Sequence, residues 1–421
     1  MTYTVVRGTK DILPSETPLW QFIENTARNL FHRYHYSEIR TPIFEELSLF
    51  NRVMGNESDI VKKEMYNFTD KGGRELALRP EGTASVARAY LSNALQRQAG
   101  ETKVYYMGPM FRYERPQAGR YRQFHQIGLE CIGSSHPYTD AEIITLCYRL
   151  FSELGLNKVN IRINSVGCLH CRDSIRTHVI NYFTPHLHLF NEQQKETFKH
   201  NPLRILDSKD PAIKALILDG FDLNEALCDQ SKTHFASVLT YLDALNIPYI
   251  YTPTLVRGLD YYTETVFEVV SDELGAQNSI CGGGRYNHLI RDIGGPDTPA
   301  FGFAFGLERL VLLLDQQPNT KLKPDSLIYV AALGQKAALK SVSLMETLRQ
   351  EGLSVTTDYK KTELNPHIKL ADKLKAEFII ILGDQELDSQ TVIVKHLQKK
   401  QQNSIPINDL SSYFKRISEQ D

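Results

Sequence analysis

The stretch Tyr105 to Gly133, YYMGPMFRYERPQAGRYRQFHQIGLECIG, concentrates the residues with the clearest chemical use. Arg112, Arg115, Arg120 and Arg122 fall close together, and a guanidinium fork matches the geometry of phosphate oxygens. Pro116 and Gly119 punctuate a turn between them. The spacing therefore predicts two strands joined by a basic loop, the first ending at Phe111-Arg112 and the second running from about Tyr121 to Cys131. Along the second strand Ile127, Leu129 and Cys131 share one face, as a core should, while Phe124, Gln126, Gly128 and Glu130 share the other. An amide, a missing side chain and a carboxylate in succession suit the floor of a small polar pocket. From the strand alone an exposed face with an edge glycine fits as well; the arginine loop favours the pocket.

Elements on either side must position this hairpin. Thr17-Pro18 can open a helix whose apolar stripe is Leu19, Phe22, Ile23, Ala27, Leu30 and Tyr34. SEIRTPIFEE is extended, and Pro42 suits an edge or interface strand. Met65 to Thr69 and Glu75 to Arg79 bracket Asp70-Lys71-Gly72-Gly73, a hairpin signal, and a helical run begins near Ala84. Asp140 to Leu154 reads as an amphipathic helix and Val159 to Asn164 as a strand. From about residue 168 to 247 the chain is polar and His-containing, with helical patterning and no clear strand, as expected of an insertion. Strand patterning returns at Tyr249 to Thr252, Val266 to Val270 and Ser279 to Cys281. Gly282-Gly283-Gly284 then either lets the backbone approach a ligand closely or forms a plain tight turn. AFGFAFGLERLVLLL, Ala300 to Leu314, is a glycine-punctuated strand leading into a helix.

Gln316 to Lys323 is a linker by composition. Beyond it strands alternate with helices, which predicts a small α/β domain over 323–421 after a first domain over 1–322. A chain of 421 residues is long enough for two or three domains. A net charge of -2 excludes a wholly basic nucleic-acid coat while leaving room for local basic surfaces. Six scattered cysteines match a reduced compartment. Cys168 and Cys171 form a CxxC around His170, but a zinc site wants a second pair of ligands at similar spacing, which the sequence does not display, so no metal is expected there. With no apolar leader and no run long enough to span a bilayer, a cytoplasmic location without membrane attachment is expected.

Five segments together resemble those of the histidyl-tRNA synthetase family, a class II aminoacyl-tRNA synthetase. TPIFEE at Thr41 is similar to motif 1, FRYERPQAGRYRQFHQ to motif 2 and FGFAFGLERL to motif 3. LVRGLDYYTETVFEVV and CGGGRYNHLI resemble the two histidine-specific signatures. The resemblance implies an α+β fold: an antiparallel sheet flanked by helices, with a helical insertion and a C-terminal α/β anticodon-binding domain. It also implies a homodimer through motif 1 and, with ATP and Mg2+, activation of L-histidine followed by transfer to tRNA(His). By similarity Arg112 grips the α-phosphate, Arg309 the triphosphate end beside the adenine, and Arg257 the α-phosphate from the histidine side, with Arg120 also in the ATP site. The histidine pocket implied comprises Glu81, Gly82 and Thr83 at the ammonium group, Gln126 beside them, Glu130 and Tyr262 at the imidazole with Tyr261 adjacent, and Gly282 and Gly283 at the backbone. In adenylate formation the attacking carboxylate is already an anion, so arginines and magnesium rather than a general base meet the chemical need.

Where the family commonly has an aspartate after Arg285-Tyr286 this chain has Asn287, which is expected to cap a helix. Lys360, Lys361, Lys369, Lys373 and Lys375 could face RNA phosphates, although interspersed acids make a solvated face the alternative. A regulatory paralogue of histidine biosynthesis would lack the C-terminal domain or the RGLDYY signature, and this chain has both. A non-catalytic RNA-binding module would have no use for Glu81, Glu130 and the phosphate-directed arginines together.

Overall fold

Pro18 in its first turn starts α1 (Thr17–Arg33), which buries Trp20, Ile23, Ala27, Leu30 and Phe31 at helical spacing. Phe31 lies 5.1 Å from the ring of Tyr105 and 6.4 Å from that of Phe303, so this stripe covers one face of a large sheet. The computed structural model describes residues 3–55, 58, 60–117, 119–208, 210–218, 220–256, 261–271, 273, 278–316 and 326–418. The chain divides into two units, 1–320 and 321–421.

In the first unit, β1 (Ser37–Glu38), β2 (Phe44–Glu46), α2 (Leu47–Met54), β3 (Asn67–Thr69), β4 (Glu75–Leu78) and α3 (Thr83–Ser92) precede the central hairpin of β5 (Thr102–Phe111) and β6 (Gln123–Ile132). Next come α4 (Pro137–Glu153), β7 (Asn160–Ser165) and a helical stretch of α5 (Arg172–Phe183), α6 (Glu192–His200), α7 (Pro211–Leu218) and α8 (Asp229–Ala244). That stretch has a core of its own, built on Cys171, Val179, Phe183, Phe198 and Phe221. β8 (Ile250–Tyr251), β9 (Thr263–Val270), β10 (Ser279–Arg285), α9 (Leu289–Asp292), β11 (Ala300–Gly306) and α10 (Leu307–Asp315) complete the unit.

The order β1-β5-β6-β11-β10-β9-β7-β8 makes an eight-stranded sheet, antiparallel except where β1 joins β5 and β8 joins β7 at its two edges. A separate three-stranded sheet runs β2-β4-β3. Its hairpin turn is the expected Asp70 to Gly73, with Asp70 Oδ1 accepting from the amides of Gly72 and Arg74. Pro42 falls between β1 and β2, outside both strands. The buried Arg79 ties this segment down by donating to the carbonyls of Thr41, Pro42 and Pro109.

Two details differ from the sequence-based expectation. Gly282-Gly283-Gly284 is no turn but the middle of β10. A side chain at Gly283 would run into Phe267 and Phe303, and one at Gly284 would meet the Thr265 carbonyl, so neighbouring strands demand bare backbone there. Nor does Asn287 cap a helix. His288 occupies the N-cap of the short α9, while the Asn287 side chain accepts from Arg285 at 3.3 Å.

The second unit contains β12 (Leu327–Ala332), α11 (Gln335–Gln350), β13 (Ser354–Thr356), α12 (Leu364–Lys373), β14 (Phe378–Leu382), α13 (Asp384–Asp388), β15 (Thr391–His396), β16 (Gln401–Pro406) and α14 (Leu410–Ser418). Its sheet runs β13-β12-β14-β15-β16, parallel across the first three strands and antiparallel beyond. α13 and β16 go beyond the sequence reading. Five of the six residues of β16 are exposed and most are polar, so the strand carries little apolar signal.

Candidate active site

Cross-strand register builds the floor of the site. Val104, Glu130, Gly302, Gly284 and Val266 form one row across β5, β6, β11, β10 and β9, and Tyr106, Gly128, Ala304, Gly282 and Glu268 form the row two residues along. The small residues of these rows leave a trough on one face of the sheet, and Glu130 lies across it: any side chain at Gly302 would collide with its carboxylate. Gly283 points its missing side chain to the opposite face, among Phe267 and Phe303. The space that the missing side chain of Gly128 leaves is filled by one of the chain's own rings. Tyr106 packs against both Gly128 and Gly82.

Two buried carboxylates face this trough. Glu81 accepts from the amides of Thr83 at 2.7 Å and Ala84 at 2.8 Å, placing an anion at the N-terminus of α3, where the helix dipole favours it. Burial nevertheless pushes its carboxyl above the usual range, opposed by those two amides and by the charge of Arg112. Glu130 accepts from Thr83 Oγ1 at 2.7 Å and from the Tyr286 hydroxyl at 2.5 Å. Burial, with the charge of Glu81 in addition, raises it to about 8 in spite of those two hydrogen bonds. Among the described residues neither acid has an ion-pair partner. The Tyr261 and Tyr262 rings meet at 4.7 Å in a tilted pair and Tyr261 meets Tyr286 edge-on at 5.8 Å, which puts an aromatic wall beside Glu81 and Glu130. The Tyr106 hydroxyl and Gln126 Oε1 are buried without a hydrogen-bond partner among the described residues, leaving polar atoms for a ligand to satisfy.

Arginines border the trough. Arg112 donates from Nε to the Pro80 carbonyl at 2.9 Å and lies 5.4 Å from the Phe124 ring, next to the Glu81 segment. Arg120 pairs with Glu114 at 3.0 Å. Arg309 donates to the Ser279 carbonyl, and burial together with the like charge of Arg120 lowers its pKa. Glu114 and Glu268 oppose that shift. Arg309 is held there because Glu308 accepts from the His125 amide at 2.9 Å and meets His125 Nδ1 at 3.0 Å, fixing α10 to β6. Of the other loop arginines, Arg122 stacks at 3.8 Å on Tyr113 and receives its cover from Gly8, so its part is structural, and Arg115 is exposed. Arg257 lies outside the described residues.

Tyr106, Tyr286 and Arg285 are the parts the sequence reading passed over. The register against Gly128 is what would have singled out Tyr106. Arg285 is fully buried and donates from Nε to Asp140 at 3.1 Å and from Nη1 to the Ser134 carbonyl at 2.7 Å. Asp140 also meets His234 Nε2 at 2.9 Å, so α4, α8 and β10 are joined behind the site.

An antiparallel sheet whose central hairpin carries a cluster of arginines beside two buried carboxylates is the architecture of a class II aminoacyl-tRNA synthetase. Comparison with known proteins narrows the class. The histidyl-tRNA synthetase family model matches residues 8–171 and 212–310, and an anticodon binding domain model matches 327–417. The chain is 47% identical to the histidine–tRNA ligase of Dictyoglomus thermophilum, over 97% of this chain and 98% of that one. It is 45% identical to the histidine–tRNA ligase of Desulforamulus reducens over 99% of both. The apo histidyl-tRNA synthetase of S. aureus superimposes with a TM-score of 0.81 at 36% identity, over 98% of this chain and 100% of that one. The chain belongs to the histidyl-tRNA synthetase family, whose reaction is activation of histidine with ATP and transfer to tRNA(His).

Proposed function

We propose that the trough between Glu81 and Glu130 receives L-histidine and that Arg112, Arg120 and Arg309 receive ATP. The observation that carries this reading is the pair of buried carboxylates with no ion-pair partner among the described residues. A buried anion is costly unless something compensates it, and histidine brings an ammonium group and ring N–H donors. Glu81, beside Arg112, takes the ammonium group. Glu130 takes an imidazole N–H, with the tyrosine hydroxyls and Gln126 serving the remaining polar atoms.

The histidine carboxylate then attacks the α-phosphorus of ATP. A C–O–P bond forms, the bond from the α-phosphorus to the bridging oxygen breaks, and pyrophosphate leaves with the electron pair. No proton needs to be removed, so the task of the protein is alignment and charge stabilisation. Arg112 stabilises the α-phosphate, and Arg309 with Arg120 the triphosphate end. Transfer of the histidyl group to the tRNA 3' end releases AMP. Glu114 and Glu268, which both act electrostatically on Arg309, are the carboxylates that would hold magnesium beside the substrate phosphates. Bound, it would offset phosphate charge.

For the second unit we propose tRNA anticodon recognition, with the exposed Lys369, Lys373 and Lys375 near the phosphates. For the small sheet we propose a homodimer contact, supported by the exposed Ile43, Phe44 and Phe68. No described helix is long and apolar enough to cross a membrane. Histidine-dependent pyrophosphate exchange tests the chemistry: Arg309→Gln should lower kcat by about 10²–10³-fold, as loss of one charge-stabilising donor does, with the KM for histidine nearly unchanged. Equal exchange rates in parent and variant would remove Arg309 from the mechanism.

A further inference from the structure

The CxxC at Cys168 and Cys171 is met in the fold by a third cysteine. Cys228, 57 residues beyond Cys171 in sequence, sits just before α8, and the three sulfurs lie within 4.8 Å of one another. Cys168 Sγ is 3.7 Å from Cys171 Sγ and 3.8 Å from Cys228 Sγ. Neither separation is a disulfide, and all three cysteines are free thiols. Both match a different geometry. Sulfurs bound tetrahedrally at about 2.3 Å from one zinc ion are separated by about 3.8 Å.

Ser231, three residues after Cys228, stands where a fourth ligand would. Its Oγ lies 3.4 Å from Cys228 Sγ and 3.6 Å from Cys171 Sγ. An oxygen about 2.0 Å from such an ion would lie about 3.5 Å from each sulfur. Ser231 Oγ accepts from the Cys168 amide at 3.2 Å and donates to Glu264 Oε1 at 3.0 Å, which fixes the direction of its remaining lone pair. Glu264 is itself unusual. It is 5% exposed, its Oε2 has no partner among the described residues, and its φ of 52° is a conformation that few side chains adopt. The bulge it makes in β9 is fastened to the turn before Cys168, since the Glu264 amide donates to Gly167 and the Val166 amide donates to Glu264, both at 2.8 Å. Cys171 and Cys228 are the N-cap residues of α5 and α8, where helix dipoles favour thiolates.

We propose that Cys168, Cys171 and Cys228 bind one zinc ion with Ser231 Oγ at the fourth corner, clamping the root of the helical insertion to β9 of the catalytic sheet. Zinc suits a set of three thiolates and one hydroxyl, and binding releases the thiol protons to solvent. The clamp explains why a serine with a carboxylate behind it occupies the position that completes a CxxC-like pair. It also explains why Gly167 has no side chain, which would strike Cys171 and Leu227.

The test uses the full chain, purified without a metal-affinity tag. Elemental analysis should find one zinc per chain, released as an organomercurial titrates the thiols. Cobalt in its place should give the thiolate charge-transfer and strong visible bands of a tetrahedral sulfur-rich site. Ser231→Cys should tighten zinc retention against a chelator, and Glu264→Gln should weaken it by about 10–100-fold, the usual effect of losing a residue that orients a ligand. Substoichiometric zinc with freely titrating thiols and no cobalt spectrum would overturn the proposal. So would a Cys168–Cys171 disulfide in protein purified without reductant. Both of these readouts are taken on the unaltered chain, so neither depends on whether a variant folds.

Discussion

Glu130 and Asp140 are both fully buried acids in the same sheet-and-helix layer, and their environments drive them in opposite directions. Burial raises both. For Asp140 the adjoining Arg285, bonded through two nitrogens, and His234 outweigh it and leave the carboxyl below its usual value. Among the described residues Glu130 has two hydroxyls and no cation, and it remains at about 8. The difference separates structure from function in one fold. A charge network completed by the protein itself supports the sheet, whereas the one around Glu130 is, in the function proposed above, completed by the substrate.

The largest effect should come from breaking the completed network. Asp140→Asn strands the Arg285 guanidinium in the core and should cost about 3–5 kcal/mol in chemical denaturation. A loss below about 1 kcal/mol would mean that water reaches Arg285 and that the contrast with Glu130 is false. Next in size, Glu130→Gln should weaken histidine by about 2–5 kcal/mol through KM while leaving the KM for ATP close to normal. Thermal denaturation that collapses with no change in the histidine constant would make Glu130 a structural acid like Asp140. Smaller still, Tyr286→Phe removes one hydrogen bond to Glu130 and should cost about 1.5–3 kcal/mol of histidine binding or stability. Competition binding with parent and variant separates those two outcomes.

The two acids also predict opposite pH dependences. The folded pKa of Glu130 is raised, so the stability it contributes is complete below the ordinary carboxyl value and is lost as pH rises toward about 8. Glu130→Gln should therefore flatten the fall in melting temperature over that interval. The folded pKa of Asp140 is lowered, so its contribution is present above the ordinary value and is lost only in acid.

Much of this was legible in the sequence because it is periodic. Alternation along Phe124 to Cys131 placed Gln126, Gly128 and Glu130 on one face, and the order of motifs supplied the family. What escaped depends on contacts between distant segments. The triple glycine reads as a turn until Phe267, Phe303 and the Thr265 carbonyl are brought against it. Tyr106 fills the space over Gly128 only through strand pairing. The CxxC meets a third cysteine that lies just before α8, at a spacing no local pattern contains. Asp140 looked like an ordinary helix-start acid, and nothing near it in sequence announces Arg285.

The claim that Glu130 awaits its partner from the ligand can be measured directly by calorimetry of histidine binding at pH 7 in buffers of different ionisation enthalpy. A carboxyl at about 8 is mostly protonated there, and an imidazole N–H or cation docking against it favours the anion. The parent should therefore release close to one proton on binding, and Glu130→Gln should release almost none. Binding with no proton release in the parent, or the same release in both proteins, would contradict the account.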